Sequence, residues 1–146
     1  MSEKIGNVWV FIEQEGGKIA DVSLELVCKG TELAKQLGVE VEGVLLGDKV
    51  EGCCETLFHY GCSKVYLAED PRLEPFTVLP YAKVIMGLIM EHKPNILMFG
   101  ATMKGRELAP RVASLLKSSQ VSQQTVQIFR STTLTTKSTR NSTRTN

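Results

Sequence analysis

The feature that most constrains the fold of this chain is a repeated alternation between short apolar runs and longer segments with helical spacing. The apolar runs are rich in β-branched and aromatic residues, which is typical of strands buried on both faces. They cover four segments, 7–14, 39–47, 63–70 and 95–102. In the other segments the apolar residues recur every three to four positions, as on one face of a helix. These lie at 20–38, 49–61, 81–94 and 105–117.

This alternation predicts an α/β protein, a three-layer sandwich with a mostly parallel sheet and right-handed crossovers. The pattern is Rossmann-like and fits the adenine-nucleotide hydrolase-like arrangement. A chain of 146 residues is long enough for about one such domain. Ligands in these sheets bind outside the carboxyl ends of the strands, where the strand order reverses. Those ends are expected at 14–20, 47–50, 70–78 and 100–106.

Residues near the helix ends support these boundaries. Asp21 or Ser23 is expected to cap the first helix, and Gly38 to end it. Three prolines, Pro71, Pro75 and Pro80, interrupt the connection that precedes the third helix. We therefore expect that helix to begin after them, at residue 81.

The last 29 residues differ in composition from the rest of the chain. Residues 118–146 contain 14 Ser or Thr and four basic residues but no acidic residue or glycine. Such a segment offers too little apolar surface to offset the entropy of ordering it. We expect a domain at 1–117 and a tail at 118–146 that is either disordered or the product of a reading-frame shift, the explanation we favour. On either explanation the sheet is incomplete at its C-terminal end, because the strand after the last helix is missing.

Charge and composition narrow the functional classes. Residues 1–117 hold 13 basic and 16 acidic residues, so this part is mildly acidic and gives no support to nucleic-acid binding. No segment has the roughly 18 apolar residues of a membrane helix. The N-terminal apolar run is too short and too acidic for a signal peptide, which predicts a cytoplasmic protein without a membrane partner.

Metal binding is not indicated either. The four cysteines (Cys28, Cys53, Cys54 and Cys62) form no C-x-x-C pair, and the two histidines are not at paired ligand spacing. No zinc site is therefore expected. The adjacent Cys53 and Cys54 have two interpretations, a redox-active pair or buried free thiols, and we favour the thiols. His59 and His92 have the placement of surface or helix-end histidines.

The segment GATMKGRELAPRVASLL, residues 100–116, is the strongest candidate for a binding loop. Its two glycines are spaced as in the phosphate-binding loop G-x-x-x-x-G-K-[ST], but Arg106 and Glu107 replace the final two residues. Glu107 provides no hydroxyl for Mg²⁺ and would repel a triphosphate. The alternatives are a weak cofactor-binding loop at a helix N-terminus and a tight turn whose Arg106 pairs across an interface. The candidate residues are Gly100, Thr102, Gly105 and Arg106.

No set of nucleophile, base and orienting residue can be assembled from the sequence, so the chain is not expected to be catalytic on its own. Glu13 and Glu15 lie at the end of the first strand, where a phosphate would need hydrogen-bond donors. The usual G-x-G-x-x-G turn of dinucleotide-binding domains is not present there.

These segments resemble the N-terminal domain of the electron transfer flavoprotein alpha subunit. The resemblance runs from about residue 6 to 117 and is most specific in G-A-T-x-x-G-R-[DE]-L-A-P-R. The residues before it that carry the resemblance are NVWVFIEQEGGKIADVSLELVCKGTELAKQLGVEVEGVLLG and YAKVIMGLIMEHKPNILMFGAT. The sequence is most similar to the electron-bifurcating members from anaerobes.

The resemblance implies a heterodimer with a beta subunit of similar fold. It also implies electron transfer from flavoprotein dehydrogenases, or from NADH in bifurcating members, to an acceptor. FAD would be held mainly by a C-terminal domain that this chain lacks, with residues 100–106 lining a cleft or an interface. Two other functions stay open: a stand-alone adenine-nucleotide-binding module of the same fold, and a purely structural partner-binding domain.

Overall fold

The computed structural model describes residues 5–119 and 125–129. Seven strands occur in this part of the chain: β1 Val8–Ile12, β2 Gln14–Glu15, β3 Lys18–Ile19, β4 Val41–Gly47, β5 Lys64–Glu69, β6 Ile96–Gly100 and β7 Thr125–Phe129. Its four α-helices are α1 Asp21–Leu37, α2 Cys54–Tyr60, α3 Val78–His92 and α4 Met103–Ser118. Short 3₁₀ turns precede α2 at Glu51–Cys53 and follow β5 at Pro71–Leu73.

Five strands form one parallel sheet in the order β5-β4-β1-β6-β7. The chain first builds outward from β1 to β4 and β5, and then crosses to the other side of β1 to add β6 and β7. The strand order therefore reverses between β1 and β6. This point is the topological switch point of the sheet, where open α/β sheets bind their ligands.

Side chains of the central strands alternate between two apolar cores. In β1, Trp9 and Phe11 pack on the side of α3 and α4, whereas Val8, Val10 and Ile12 pack on the side of α1 and α2. Every residue of β1 and β4 is buried. Because both faces of these strands are covered, nearly all of their residues are apolar, with Glu42 in β4 as the charged exception. The predicted three-layer α/β fold is confirmed.

The predicted missing strand is present, so the expectation of an incomplete sheet is wrong. β7 pairs parallel with β6 along its full length, from Ile96 opposite Thr125 to Gly100 opposite Phe129. Val126 and Ile128 are partly buried against the core on the α3 and α4 side. Five residues with two apolar side chains on one face are enough to complete a sheet edge, although the tail as a whole is polar. The predicted disorder of residues 120–124 and 130–146 lies outside the described residues.

Two helix starts also differ from expectation. α3 begins at Val78 rather than after Pro80, because the first helical turn makes no use of its N–H groups and accepts proline there. α1 begins after Ala20 without a side-chain cap. Neither Asp21 nor Ser23 therefore caps this helix. Gly38 does end it, with a φ of 73° that favours glycine.

A small antiparallel hairpin, β2 and β3, follows β1 directly. Gln14 pairs with Ile19, and Glu15 pairs with Lys18. Gly16 and Gly17 form the turn with φ values of 61° and 83°, a region that side chains disfavour. The hairpin thus lies at the carboxyl end of β1, next to the switch point.

Candidate functional site

The loop between β6 and α4 meets the end of β1 at the switch point. Thr102 is the N-cap residue of α4, and its Oγ1 accepts a hydrogen bond from the Gly105 backbone N–H at 3.0 Å. The same hydroxyl donates to Oε2 of Glu13 at 2.6 Å. A single side chain therefore caps the helix and ties it to a residue 89 positions away in sequence.

The two glycines of the loop are required by close packing. A Cβ on Gly105 would overlap the carbonyl oxygen of Gly100. A Cβ on Gly100 would lie 3.1 Å from Cγ2 of Val22 and 3.4 Å from Oε2 of Glu13. The resemblance to a phosphate-binding loop thus arises from a tight strand-to-helix turn packed on its neighbours.

Glu13 occupies the position where an anionic ligand would lie. It is only 8% exposed. Its backbone N–H donates to Oγ of Ser23 at 2.7 Å, and its carbonyl oxygen accepts from the N–H of Ala20 at 2.9 Å. The backbone of Glu13 is therefore fixed by Ser23 and Ala20 at the start of α1, and its carboxylate is bound by Thr102 at the start of α4. It places negative charge beside the N-terminus of α4, which an anion would otherwise use.

Two residues that the sequence did not indicate complete this site. Gln14 is 9% exposed, donates from Nε2 to the Leu46 carbonyl oxygen at 3.2 Å, and accepts from the Gly17 N–H at 3.0 Å. Lys104 donates from Nζ to the Gln14 carbonyl oxygen at 3.5 Å and lies 5.4 Å from the centre of the Phe76 ring. The contact of Gln14 with Gly17 is local, but those of Gln14 with Leu46 and of Lys104 with Gln14 join distant parts of the sequence, so local motifs carry no signal for them.

A cavity of about 340 Å³ opens beside these residues. Its lining contains three carboxylate side chains, two lysine side chains and three uncharged residues. The carboxylates are Glu13, Glu15 and Asp21, the lysines are Lys18 and Lys104, and the uncharged residues are Gln14, Ile19 and Ala20. The acidic groups outnumber the basic groups. The cavity is therefore a poor match for a phosphate or pyrophosphate, whose charge needs several donors.

The predicted site residues thus lie together but differ in environment. Gly100 and Gly105 are buried, Thr102 is half-buried, and Arg106 is exposed. Within residues 5–119 and 125–129, Arg106 makes no ion pair. Its carbonyl oxygen also lacks the usual partner four residues later, because Pro110 has no N–H. Because the Arg106 side chain is exposed and makes no ion pair within the described residues, its guanidinium group is available to contact another molecule.

The cysteines have mixed environments. Cys53 and Cys62 are buried, Cys54 is intermediate and Cys28 is exposed. Burial, followed by the nearby Glu42 carboxylate, raises the pKa of Cys62 to about 12. Burial also raises the pKa values of Cys53 and Cys54. These thiols hold their protons at neutral pH, which disfavours nucleophilic or redox chemistry.

No group of three metal-binding side chains occurs in the described part.

A second polar cluster lies at the opposite, amino end of the sheet. Glu42 is 5% exposed and accepts hydrogen bonds from Trp9 Nε1 at 2.8 Å and Asn7 Nδ2 at 2.9 Å. Burial, then the Glu42 carboxylate and a hydrogen bond to it, raises the pKa of Tyr66 to about 12. The ring of His92, the last residue of α3, lies 4.5 Å from that of Tyr66. These contacts join the beginnings of three strands to the end of a helix.

Among the described helices, none combines the length and the apolar character needed to span a membrane.

Comparisons with known proteins agree on one family. A family model described as "Electron transfer flavoprotein domain" matches residues 8–138, a range that includes β7. An electron transfer flavoprotein subunit alpha from Clostridium acetobutylicum is 49% identical over 109 residues, which cover 75% of this chain and 32% of that protein. An acryloyl-CoA reductase electron transfer subunit beta from Anaerotignum propionicum is 41% identical over 110 residues, with 75% and 30% coverage. The chain thus spans about one third of the length of these relatives.

Among solved structures, a universal stress protein in complex with cAMP has the same fold. Its TM-score is 0.52 and its sequence identity is 15%, with 87% of this chain and 98% of that protein covered. At this identity the likeness concerns the fold alone.

Proposed function

The chain belongs to the electron transfer flavoprotein domain family, and from that premise we propose that it is the N-terminal domain of an alpha subunit. In this proposal the complete subunit pairs with a beta subunit and carries electrons from flavoprotein dehydrogenases, or from NADH, to an acceptor. The chain is a non-catalytic part of that cytoplasmic carrier. Relatives named as electron transfer subunits support this assignment.

The observation that carries the proposal is the closed switch point. Glu13 and Thr102 bind each other across the crevice in which this fold class binds nucleotides. The helix N-terminus there already has its cap, since the Gly105 N–H donates to Thr102. A domain whose ligand crevice is lined mainly by its own carboxylates is suited to supporting a cofactor held elsewhere.

FAD is the cofactor that this family implies. The residues at the switch point do not fit its pyrophosphate, because Glu13, Glu15 and Asp21 place carboxylates where hydrogen-bond donors are needed. No step of electron transfer is therefore assigned to this chain. We propose that FAD is held mainly by the part of the subunit that this chain does not include. Gly100, Thr102, Gly105 and Arg106 would then line one side of a cleft or an interface.

The alternative, a stand-alone adenine-nucleotide-binding module, is less well supported. Its basis is the likeness to a universal stress protein, which at 15% identity concerns the fold alone. Release of bound nucleotide by heating the purified chain, followed by absorbance at the adenine wavelength, separates the two functions. An adenine signal at one equivalent per chain would favour the nucleotide-binding module.

Arg106 provides the test of the proposed interface. In the complete complex, Arg106→Ala is expected to weaken association with the beta subunit by about 1–3 kcal/mol, the usual contribution of a charged hydrogen bond. Arg111→Ala, which removes an exposed positive charge one and a half turns further along α4, is the matched control and is expected to have a smaller effect. Titration calorimetry of the two subunits measures both. Equal affinities for the parent and Arg106→Ala would contradict the interface role.

A further inference from the structure

Two large apolar side chains are exposed on the outer face of α3, beside Pro80, Lys83, Gly87 and Glu91. Leu79 and Met90 are 44% and 52% exposed, and between Val78 and Met90 the only charged residue is Lys83. A surface helix normally carries polar and charged residues on its outer face. Covering both side chains would contribute favourable burial to an interface on this face.

Gly87 lies in the middle of this face. A Cβ added there would meet no atom within 4 Å, so no packing contact within the described chain requires glycine. Glycine inside a helix is less favourable than alanine, because it loses more backbone freedom on folding. A glycine on an open helix surface allows a second backbone to approach closely. Close approach of a second molecule would account for glycine at position 87.

The charges on α3 indicate which partner fits. Leu79, Lys83, Gly87 and Glu91 follow one another at intervals of four residues, which places them in one ridge along the helix. Lys83 and Glu91 are equally far from Gly87, about 6 Å on either side at the usual helical rise. If two copies of α3 cross antiparallel at Gly87, Lys83 of each copy lies opposite Glu91 of the other. The ridge is thus complementary to itself in charge.

We propose that α3 forms a two-fold symmetric interface between two copies of this chain, with the helices antiparallel and in closest approach at Gly87. The interface is isologous, because the same surface serves both copies. Leu79 and Met90 lose their exposure to water in the dimer, and the two Lys83–Glu91 pairs set the register. This self-association concerns the chain in the absence of other subunits and does not depend on the proposed electron-transfer function.

Charge reversal is the decisive experiment, with sedimentation velocity over a range of concentrations as the measurement. The parent chain is expected to show a concentration-dependent monomer–dimer equilibrium. Lys83→Glu alone and Glu91→Lys alone each place like charges opposite each other at two positions. Each is expected to raise the dimer dissociation constant by roughly tenfold or more, because like charges at an interface are unfavourable.

Two combinations are expected to restore the dimer. The double variant with Lys83→Glu and Glu91→Lys recreates both opposite-charge pairs, and so does an equimolar mixture of the two single variants. Recovery in both cases is specific to a symmetric antiparallel contact. Failure of both combinations to dimerise, with helical circular dichroism unchanged, would overturn the proposal.

The glycine has its own test. Gly87→Leu is expected to abolish the dimer, whereas Gly52→Leu is the matched control because Gly52 also has open space around its Cβ position. A chain that stays monomeric at all concentrations would overturn the proposal. So would a dimer that is insensitive to both the charge reversals and Gly87→Leu. A monomeric chain that loses binding to the beta subunit through Gly87→Leu would assign this face to that subunit instead.

Discussion

At the scale of single residues, the candidate site depends on one contact between distant parts of the chain. Gly100, Thr102 and Gly105 could be predicted from their spacing, because tight strand-to-helix turns have local signatures. The bond from Thr102 to Glu13 could not, since it joins positions 89 residues apart. The same holds for Lys104 and Gln14, whose side chains find their partners only after the sheet has formed. Sequence therefore located the loop, and the fold determined its chemistry.

Removing the Thr102 hydroxyl is expected to destabilise the domain. Thr102→Val removes the cap of α4 and leaves the buried Glu13 carboxylate without this donor, so the free energy of unfolding should fall by about 1–3 kcal/mol. Thr102→Ser keeps the hydroxyl and is the control, with a smaller expected loss. Urea denaturation followed by circular dichroism measures both. Equal stability of the Val variant and the parent would show that the contact contributes nothing.

Alkaline pH is also expected to destabilise the fold. The pKa values of Tyr66 and Cys62 are raised to about 12, chiefly by burial and then by Glu42, from ordinary values near 10 and 8.5. Both groups therefore keep their protons in the folded protein at pH values where the unfolded chain has lost them. Stability is complete below about pH 8 and declines as pH rises toward 12.

Urea denaturation at a series of pH values between 8 and 11 measures this decline. Tyr66→Phe is expected to reduce its slope, because the variant has no phenol to ionise. Tyr60→Phe, at an exposed position, is the control and should leave the slope unchanged. An identical slope for the parent and Tyr66→Phe would contradict the role of the half-buried phenol.

At the scale of elements, four strands and four helices of the first 117 residues were predictable because their apolar spacing is regular, whereas the hairpin of β2 and β3 was not predicted. β7 could not be predicted from the average composition of residues 118–146, because a strand needs only about five residues. The local pattern Thr-Val-Gln-Ile-Phe, with Val126 and Ile128 on one face, carries the signal. The start of α3 does not follow from the position of Pro80 either, because the first helical turn accepts proline.

The contribution of β7 can be measured by a single truncation of a side chain. Ile128→Ala is expected to lower the free energy of unfolding by roughly 1–2 kcal/mol, less than for a fully buried isoleucine because Ile128 is only partly buried. Gln127→Ala, which removes no apolar contact, is the control and should change stability by less than about 0.5 kcal/mol. Ile128→Ala as stable as the parent would show that β7 does not pack on the core in solution.

At the scale of the whole molecule, the fold keeps the architecture of a nucleotide-binding domain but closes its ligand crevice. The two faces of the sheet are covered by helices, as in domains that bind nucleotides at their strand ends. At the switch point the hairpin of β2 and β3, the Glu13 carboxylate and the capped α4 replace the donors that a phosphate requires. On this basis we propose that the domain supports a cofactor that is held mainly elsewhere in the complete subunit.

The most direct test of this account is a titration of the purified chain with FAD, followed by the fluorescence of the flavin. Residues 100–106 would contact an FAD molecule on one side only and would leave most of it in water, whereas binding pockets usually enclose about 70–90% of a ligand. The chain is therefore expected to be colourless as purified, with FAD binding no tighter than about millimolar, equivalent to roughly 4 kcal/mol. A yellow protein that retains one FAD per chain would contradict the account, because this domain would then hold the flavin unaided.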